Sequence, residues 1–151
     1  MKWQLVDRID NFEPWSHIGG AKLVTLEEYH LLEPFGSLGE LPPSLVLESI
    51  VHLTRWLIMA SSDFQTGCVL VEIPHLEMRG KTGQGDTLIL AASVIDKNAE
   101  RLKVNVSAEV REALVCEGTL IYDLFSLSIL LEPNDAKAIW TSLNRVVSVG
   151  T

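Results

Sequence analysis

Pro42-Pro43-Ser44-Leu45-Val46-Leu47-Glu48-Ser49-Ile50 opens a long apolar run that carries a single carboxylate in its first turns. Proline suits the first helical position, where its missing N–H would have had no intrahelical acceptor. Pro42 or Pro43 therefore marks the start of a helix that runs to about Ser61. Leu45, Val46, Leu47, Ile50, Val51, Leu53, Trp56, Leu57, Ile58, Met59 and Ala60 make it apolar on nearly every face, which predicts a buried helix. Its polar residues Ser44, Glu48, His52 and Arg55 recur at helical spacing and fall on one narrow line. A buried helix with a single polar line predicts a cleft or a subunit seam. The plainer account of the same residues is a carboxylate near a helix N-terminus, worth a few tenths to about 1 kcal/mol, together with a solvated Glu48 and His52 pair one turn apart.

Upstream of the helix, Trp3 to Asp10 alternates as a strand, Asn11 to His17 forms a turn around Pro14, and Ile18 to Thr25 forms a second strand. Leu26 to Leu41 holds Pro34, Gly36 and Gly39 in an irregular segment long enough to be functional. Downstream, Cys68 to Met78 is rich in Val, Ile and Leu, and Arg79 to Asp86 is a glycine-punctuated turn into a strand over Thr87 to Asp96. A polar loop then leads to strands over Leu102 to Val110 and Ala113 to Phe125, and three such consecutive strands predict an antiparallel meander. Pro133-Asn134-Asp135 starts a short amphipathic helix with Ile139, Trp140, Leu143, Val146 and Val147 on one face. The order predicts an α+β fold, a sheet of about six strands wrapped around one long helix, with an extra C-terminal helix. The Gly83 to Gly85 stretch is not a dinucleotide fingerprint, because a strand and not a helix follows it.

A chain of 151 residues predicts a single domain, and 47% hydrophobic residues with mean hydropathy of +0.22 predict that some apolar surface enters a subunit interface, most simply a homodimer. Glu48, His52 and Arg55 interrupt the long helix, so no membrane span is expected. The first residues are charged and lack an apolar core of signal-peptide length, so a cytoplasmic location is expected. Net charge of −8 and a pI near 4.9 oppose nucleic-acid binding. His17, His30, His52 and His75 show no metal-ligand spacing, and Cys68 and Cys116 are isolated, so the expectation is reduced buried thiols, no metal and no cofactor.

Several blocks, in order from Leu5 to Phe125, resemble the 3-hydroxyacyl-acyl-carrier-protein dehydratases, a family with the hotdog fold. Leu5-Val6-Asp7-Arg8-Ile9 is similar to the family's opening strand and Lys22-Leu23-Val24-Thr25 to its second. The run Pro42 to Ser49 resembles the family's P-G-V-L-x-x-E-A helix start, and Gly85-Asp86-Thr87-Leu88 its P-G-D-x-L lead into a later strand. The resemblance implies dimers, or assemblies of dimers, with active sites at the dimer seam. It also implies action on 3-hydroxyacyl thioesters of acyl carrier protein, or of coenzyme A, in fatty-acid or polyketide-type synthesis. In such a site a histidine of one subunit takes the C2 proton, a carboxylic acid on the central helix of the other assists departure of the C3 hydroxyl as water, and a helix N-terminal N–H polarises the thioester carbonyl. Glu48 holds the carboxylate position. Phe35, Pro43 and Ser44 fall where substrate is bound, and Arg79 and Lys81, with Lys22 and Arg55 as further basic residues, are candidates for docking an acidic carrier protein.

The histidine position departs from the pattern. Aligned without a gap between Thr25 and Glu48, the family's G-H-F-P-G falls on Glu33-Pro34-Phe35-Gly36-Ser37, and Pro34 cannot accept a proton. Pro43 likewise replaces a glycine and lacks an N–H. Loss of a general base commonly costs about 10²- to 10⁴-fold in rate. His52, one turn beyond Glu48, is one replacement. His30 is another, although four extended residues at roughly 3.3 Å each separate it from position 34. Three readings follow: a dehydratase-like protein, active or impaired; a hotdog acyl thioesterase in which Glu48 activates water or attacks the thioester; and a non-catalytic subunit that partners a histidine-bearing homologue.

Overall fold

The computed structural model describes residues 5–24, 41–126 and 133–144. Its elements are strands β1 (Arg8–Glu13) and β2 (His17–Leu23), helix α1 (Pro43–Ser61), strands β3 (Thr66–Met78), β4 (Thr87–Lys97), β5 (Arg101–Val110) and β6 (Ala113–Ser126), and helix α2 (Pro133–Leu143). The strands form one antiparallel sheet in the order β1-β2-β4-β5-β6-β3, with β4, β5 and β6 as the expected meander. This is the α+β sheet around a long helix that the element order predicted, in the hotdog arrangement that the resemblance implied.

Alternation explains which face is covered. Leu88, Leu90 and Ala92 of β4, Leu102, Val104 and Val106 of β5, and Leu120 and Tyr122 of β6 are buried on the side that faces α1. Against them α1 places Val46, Ile50, Leu53, Leu57 and Ile58, whose recurrence every three or four residues gives one continuous apolar face. Gly20 lets the helix approach β2: a Cβ there would stand 3.1 Å from Leu53 Cδ1 and 2.5 Å from the Arg8 carbonyl oxygen.

Four sequence expectations shift. Among the described residues the first strand begins at Arg8 and continues past Asp10 to Glu13, while Leu5 and Val6 are buried outside regular structure and Trp3 lies outside the described residues. The turn contracts to Pro14–Ser16, because Trp15 takes a positive φ of 55° and the Ser16 N–H donates to the Glu13 carbonyl at 3.0 Å. The α1 helix is apolar along one broad face and not all round, since Pro43, Ser44, Glu48 and Arg55 stay exposed. In α2, Trp140 meets Phe12 edge-on at 5.2 Å and Trp56 at 6.0 Å, and Leu143 is buried, whereas Ile139 is 38% exposed and does not share that packed face. Val146 and Val147 lie outside the described residues.

The edge strand β3 pairs only with β6 among the described strands. Register shifts at Leu70/Glu72 and Glu72/His75 interrupt its ladder, and Val69, Val71 and Ile73 project exposed, at 47, 43 and 40%. Bulges blunt an edge against indiscriminate pairing, yet this apolar row is more than a solitary edge strand usually shows.

Candidate functional site

The start of α1 is fixed by a turn remote in sequence. Thr82 accepts the Leu41 N–H at its carbonyl (2.6 Å), Asp86 accepts the Val24 N–H at its carbonyl (3.0 Å), and Val24 in turn accepts the Gly85 N–H (3.0 Å). Asp86 also closes its own turn, its carboxylate accepting the Gly83 N–H at 2.8 Å, while Gly85 takes φ of +86°, a region open to glycine. The Gly-Asp block thus pins Val24 and Leu41, the two described residues that flank positions 25–40. Pro42, with φ of −57° and ψ of 143°, is the N-cap and Pro43 the first helical residue. Neither proline has an N–H, so Ser44 carries the first backbone donor of α1.

The polar line of α1 lies on the side the sheet leaves open. Ser44, Glu48 and Arg55 are exposed and His52 is half-buried. Glu48 and His52 are neighbours one turn apart, with Cβ atoms about 5–6 Å from each other; among the described residues no ion pair within 4 Å joins them. Burial holds the His52 imidazole below the ordinary histidine range, the Arg55 guanidinium pushes it the same way, and Glu48 opposes both. The ring is therefore neutral near pH 7 and has a lone pair to offer.

Beneath the far part of this line two groups from the sheet converge. Cys68 on β3 is half-buried, and burial pushes its thiol up to about 12 against the field of Arg55, which leaves it protonated. Tyr122 on β6 is fully buried, with its phenol raised by burial; the fields of Cys68 and Glu48 raise it further and that of Arg55 lowers it. The Thr54 hydroxyl is near enough to oppose that rise, but its proton goes to the Ile50 carbonyl at 3.0 Å, and among the described residues the Tyr122 hydroxyl has no hydrogen-bond partner. Sequence reasoning placed Arg55 on the line but missed Tyr122. A single tyrosine between Leu120 and Leu124 reads as packing, and only the β3 and β6 register brings it beside Cys68 and under α1.

The other candidate residues are dispersed. His30 and Phe35, together with Pro34, lie outside the described residues. Arg79 is clamped by Glu77 at 2.8 Å and Glu117 at 2.7 Å, so its charge is locally balanced, and Lys81 is exposed nearby. Lys22 is only 2% exposed and presents no surface charge for a carrier protein. Among the described residues no group of three or more His, Cys, Asp or Glu is placed to hold a metal ion, and no helix is long and apolar enough to cross a membrane.

No family model matches the chain. It is 27% identical over 118 residues to the 3-hydroxyacyl-acyl-carrier-protein dehydratase FabZ of Levilactobacillus brevis, which covers 78% of this chain and 80% of that protein. It is 30% identical over 118 residues to the FabZ of Jannaschia sp., covering 75% of this chain and 73% of that one. The chain belongs to the 3-hydroxyacyl-acyl-carrier-protein dehydratase family. Its backbone agrees: a hot-dog-like protein from Thermanaerovibrio acidaminovorans superposes with a TM-score of 0.64 at 15% identity, covering 86% of this chain and 92% of that one. Within the family this member carries Glu48 on the second turn of α1, and Pro34 where the motif has histidine.

Proposed function

We propose that the protein binds 3-hydroxyacyl thioesters of acyl carrier protein along the open side of α1 and eliminates water from them, with Glu48 and His52 as the acid/base pair. The observation that carries this reading is the exposed Glu48 one turn from a neutral, half-buried histidine on the same line of the helix. The thioester carbonyl sits against the Ser44 N–H, where the positive end of the helix dipole favours developing negative charge. C3 of the acyl group then lies beside Glu48. His52 accepts the C2 proton, the C2–H electron pair becomes the C2–C3 double bond, and the C3–O bond breaks as protonated Glu48 gives its proton to the departing hydroxyl, which leaves as water. His52 afterwards returns its proton to solvent and Glu48 takes one up.

Two copies joined through β3 close this site. The exposed row Val69, Val71 and Ile73 and the outer backbone edge of β3 support such a homodimer, in which the apolar row leaves water. Because Arg79 is balanced by Glu77 and Glu117, carrier recognition falls more on the acyl group than on a strong basic patch.

The test is incubation of the purified protein with 3-hydroxybutyryl thioesters of acyl carrier protein and of coenzyme A, with products identified by mass spectrometry. The expected product is the 2-enoyl thioester, with Glu48→Gln and His52→Gln each slowing its formation by about 10²- to 10⁴-fold. Release of the free acid would replace this reading with hydrolysis by Glu48. Saturable binding without turnover would replace it with a partner-subunit role.

A further inference from the structure

Beyond His52 the open side of α1 turns apolar, and it does so where the helix ends. Trp56, Met59 and Ala60 are half-buried there, and Phe64, 4% exposed, is buried against them and Trp140 of α2 and not in the main core. Trp140 stands 6.0 Å from Trp56 and 5.2 Å from Phe12 of β1, ring centre to ring centre. The helix end itself delivers Phe64. Asp63 donates its N–H to the Ala60 carbonyl at 3.3 Å and Phe64 donates to the Met59 carbonyl at 2.7 Å, which folds the phenylalanine back over the last turn. A helix end closed in this way normally uses one left-handed residue, most often glycine. Here Asp63 and Phe64 both take positive φ, 51° and 63°, a conformation that costs energy in a residue with a Cβ. Lys137 of α2 meets the Asp63 carboxylate at 3.3 Å, so the second helix fastens the same turn.

We infer that Trp56, Met59, Phe64 and Trp140 form the stop against which the acyl chain ends, so that the protein selects 3-hydroxyacyl groups of up to about ten carbons. The inference rests on the proposed function, which sets the thioester at Ser44 and C3 at Glu48. One rigid helix carries the whole path. At about 100° per residue, Glu48, Met59 and His52 fall within about 40° of one another around α1, and Trp56 lies about 40° further on. Arg55, about 100° from Trp56, is on the other flank, so a chain that runs from Glu48 past His52 reaches the indole and not the guanidinium. Trp56 lies eight residues beyond Glu48, about 12 Å along the axis at ~1.5 Å per residue. Its side chain leans back toward the helix N-terminus, which leaves about 9 or 10 Å. An extended chain advances roughly 1.2 Å per bond, so about seven or eight bonds beyond C3 bring the methyl end to the ring. Trp140 flanks Trp56, and Met59 and Phe64 close the line behind it.

The experiment measures dissociation constants for 3-hydroxyacyl thioesters of acyl carrier protein with acyl groups of about four to sixteen carbons, so that chain length is read separately from turnover. Each methylene that leaves water along the helix should tighten binding roughly two- to fourfold, up to about ten carbons. Beyond that length binding should weaken, by about tenfold or more at about fourteen carbons. Trp56→Ala and Trp140→Ala each remove a ring of the stop and should move the tightest-binding length up by about two to four carbons, whereas Met59→Trp should move it down by about two. Ile139→Ala, at an exposed position of the same α2 helix, is the control for loosening of that helix, and circular dichroism reports the fold of each variant. Affinity that rises steadily through about fourteen carbons overturns the stop, as does an optimum that neither tryptophan variant moves. An equal move in Ile139→Ala assigns the effect to loosening of α2 and overturns it too. If Trp140→Ala does not fold, Trp56→Ala and Met59→Trp decide by the same criterion. Each of these results leaves the proposed function standing, whereas absence of binding at every length overturns that function as well.

Discussion

Replacing Tyr122 with phenylalanine should make the unliganded protein more stable. The ring is fully buried and packs in the main core, while its oxygen has no hydrogen-bond partner among the described residues. A buried unsatisfied donor costs about 1–3 kcal/mol, and Tyr122→Phe removes that group while keeping the ring that fills the space. Allowing part of this for relaxation of the surrounding side chains, the gain is about 1–2 kcal/mol. For a chain of 151 residues, each kcal/mol moves Tm by roughly 2–4 °C, so the variant should melt about 2–8 °C higher. Thermal unfolding followed by circular dichroism is the assay, at equal protomer concentration because an assembling protein has a concentration-dependent Tm. The pH dependence supplies a second arm. Burial raises the folded phenol above the ordinary value, so below about pH 10 both folded and unfolded states keep the proton and no penalty arises. Above about pH 10 the unfolded chain loses it and the folded one does not, so wild-type stability falls and the advantage of phenylalanine widens. A Tm lowered by about 2 °C or more, or an advantage that shrinks above pH 10, would refute the unpartnered hydroxyl.

Gly20→Ala should destabilise by about 1–3 kcal/mol, read from the urea midpoint, because the new Cβ meets the rigid Arg8 carbonyl at 2.5 Å and Leu53 at 3.1 Å; an unchanged midpoint would show that α1 and β2 are not in close approach. Trp140→Ala deletes the edge contact with Phe12 and the tilted contact with Trp56, a loss of about 1–3 kcal/mol at roughly 0.5–1.5 per aromatic pair. Hydrogen exchange should rise within α2 and leave the β4 to β6 meander protected, and uniform exchange across the molecule would contradict an independently docked helix. For Cys68, whose thiol is raised from 9.0 to about 12, native stability should fall as pH climbs from about 9 toward 12, since only the unfolded thiol ionises freely in that window. Cys68→Ala should flatten that part of the alkaline denaturation curve, and identical curves for the two proteins would show the thiol to be in contact with solvent.

Much of the fold was legible in the chain because it rests on local patterns. Two prolines at a helix start, an apolar run as long as α1 and the strict alternation of β4 and β5 leave few architectures open, and the observed helix bounds Pro43–Ser61 match that reading. The misplaced first strand has a physical reason: Trp15 adopts φ of 55°, a conformation that no residue type at that position advertises, and it lets β1 run on to Glu13. Carboxylate Glu48 was legible as well, because helical periodicity sets its line and a charge in an apolar run is conspicuous.

By itself, the sequence determined the hotdog architecture, the line Ser44, Glu48, His52 and Arg55, and the replacement of the motif histidine by Pro34. Tertiary structure alone decided what lies along that line. Cys68 and Tyr122 come from strands more than fifty residues apart in the chain, and the β3 and β6 register sets them under α1. The same packing balances Arg79 with Glu77 and Glu117, buries Lys22, and leaves Arg55 without a counterion among the described residues. Charge and hydropathy are properties of single residues and are written in the chain. Pairing, burial and electrostatic neighbourhood belong to groups distant in sequence, and exist only once the sheet has closed over the helix.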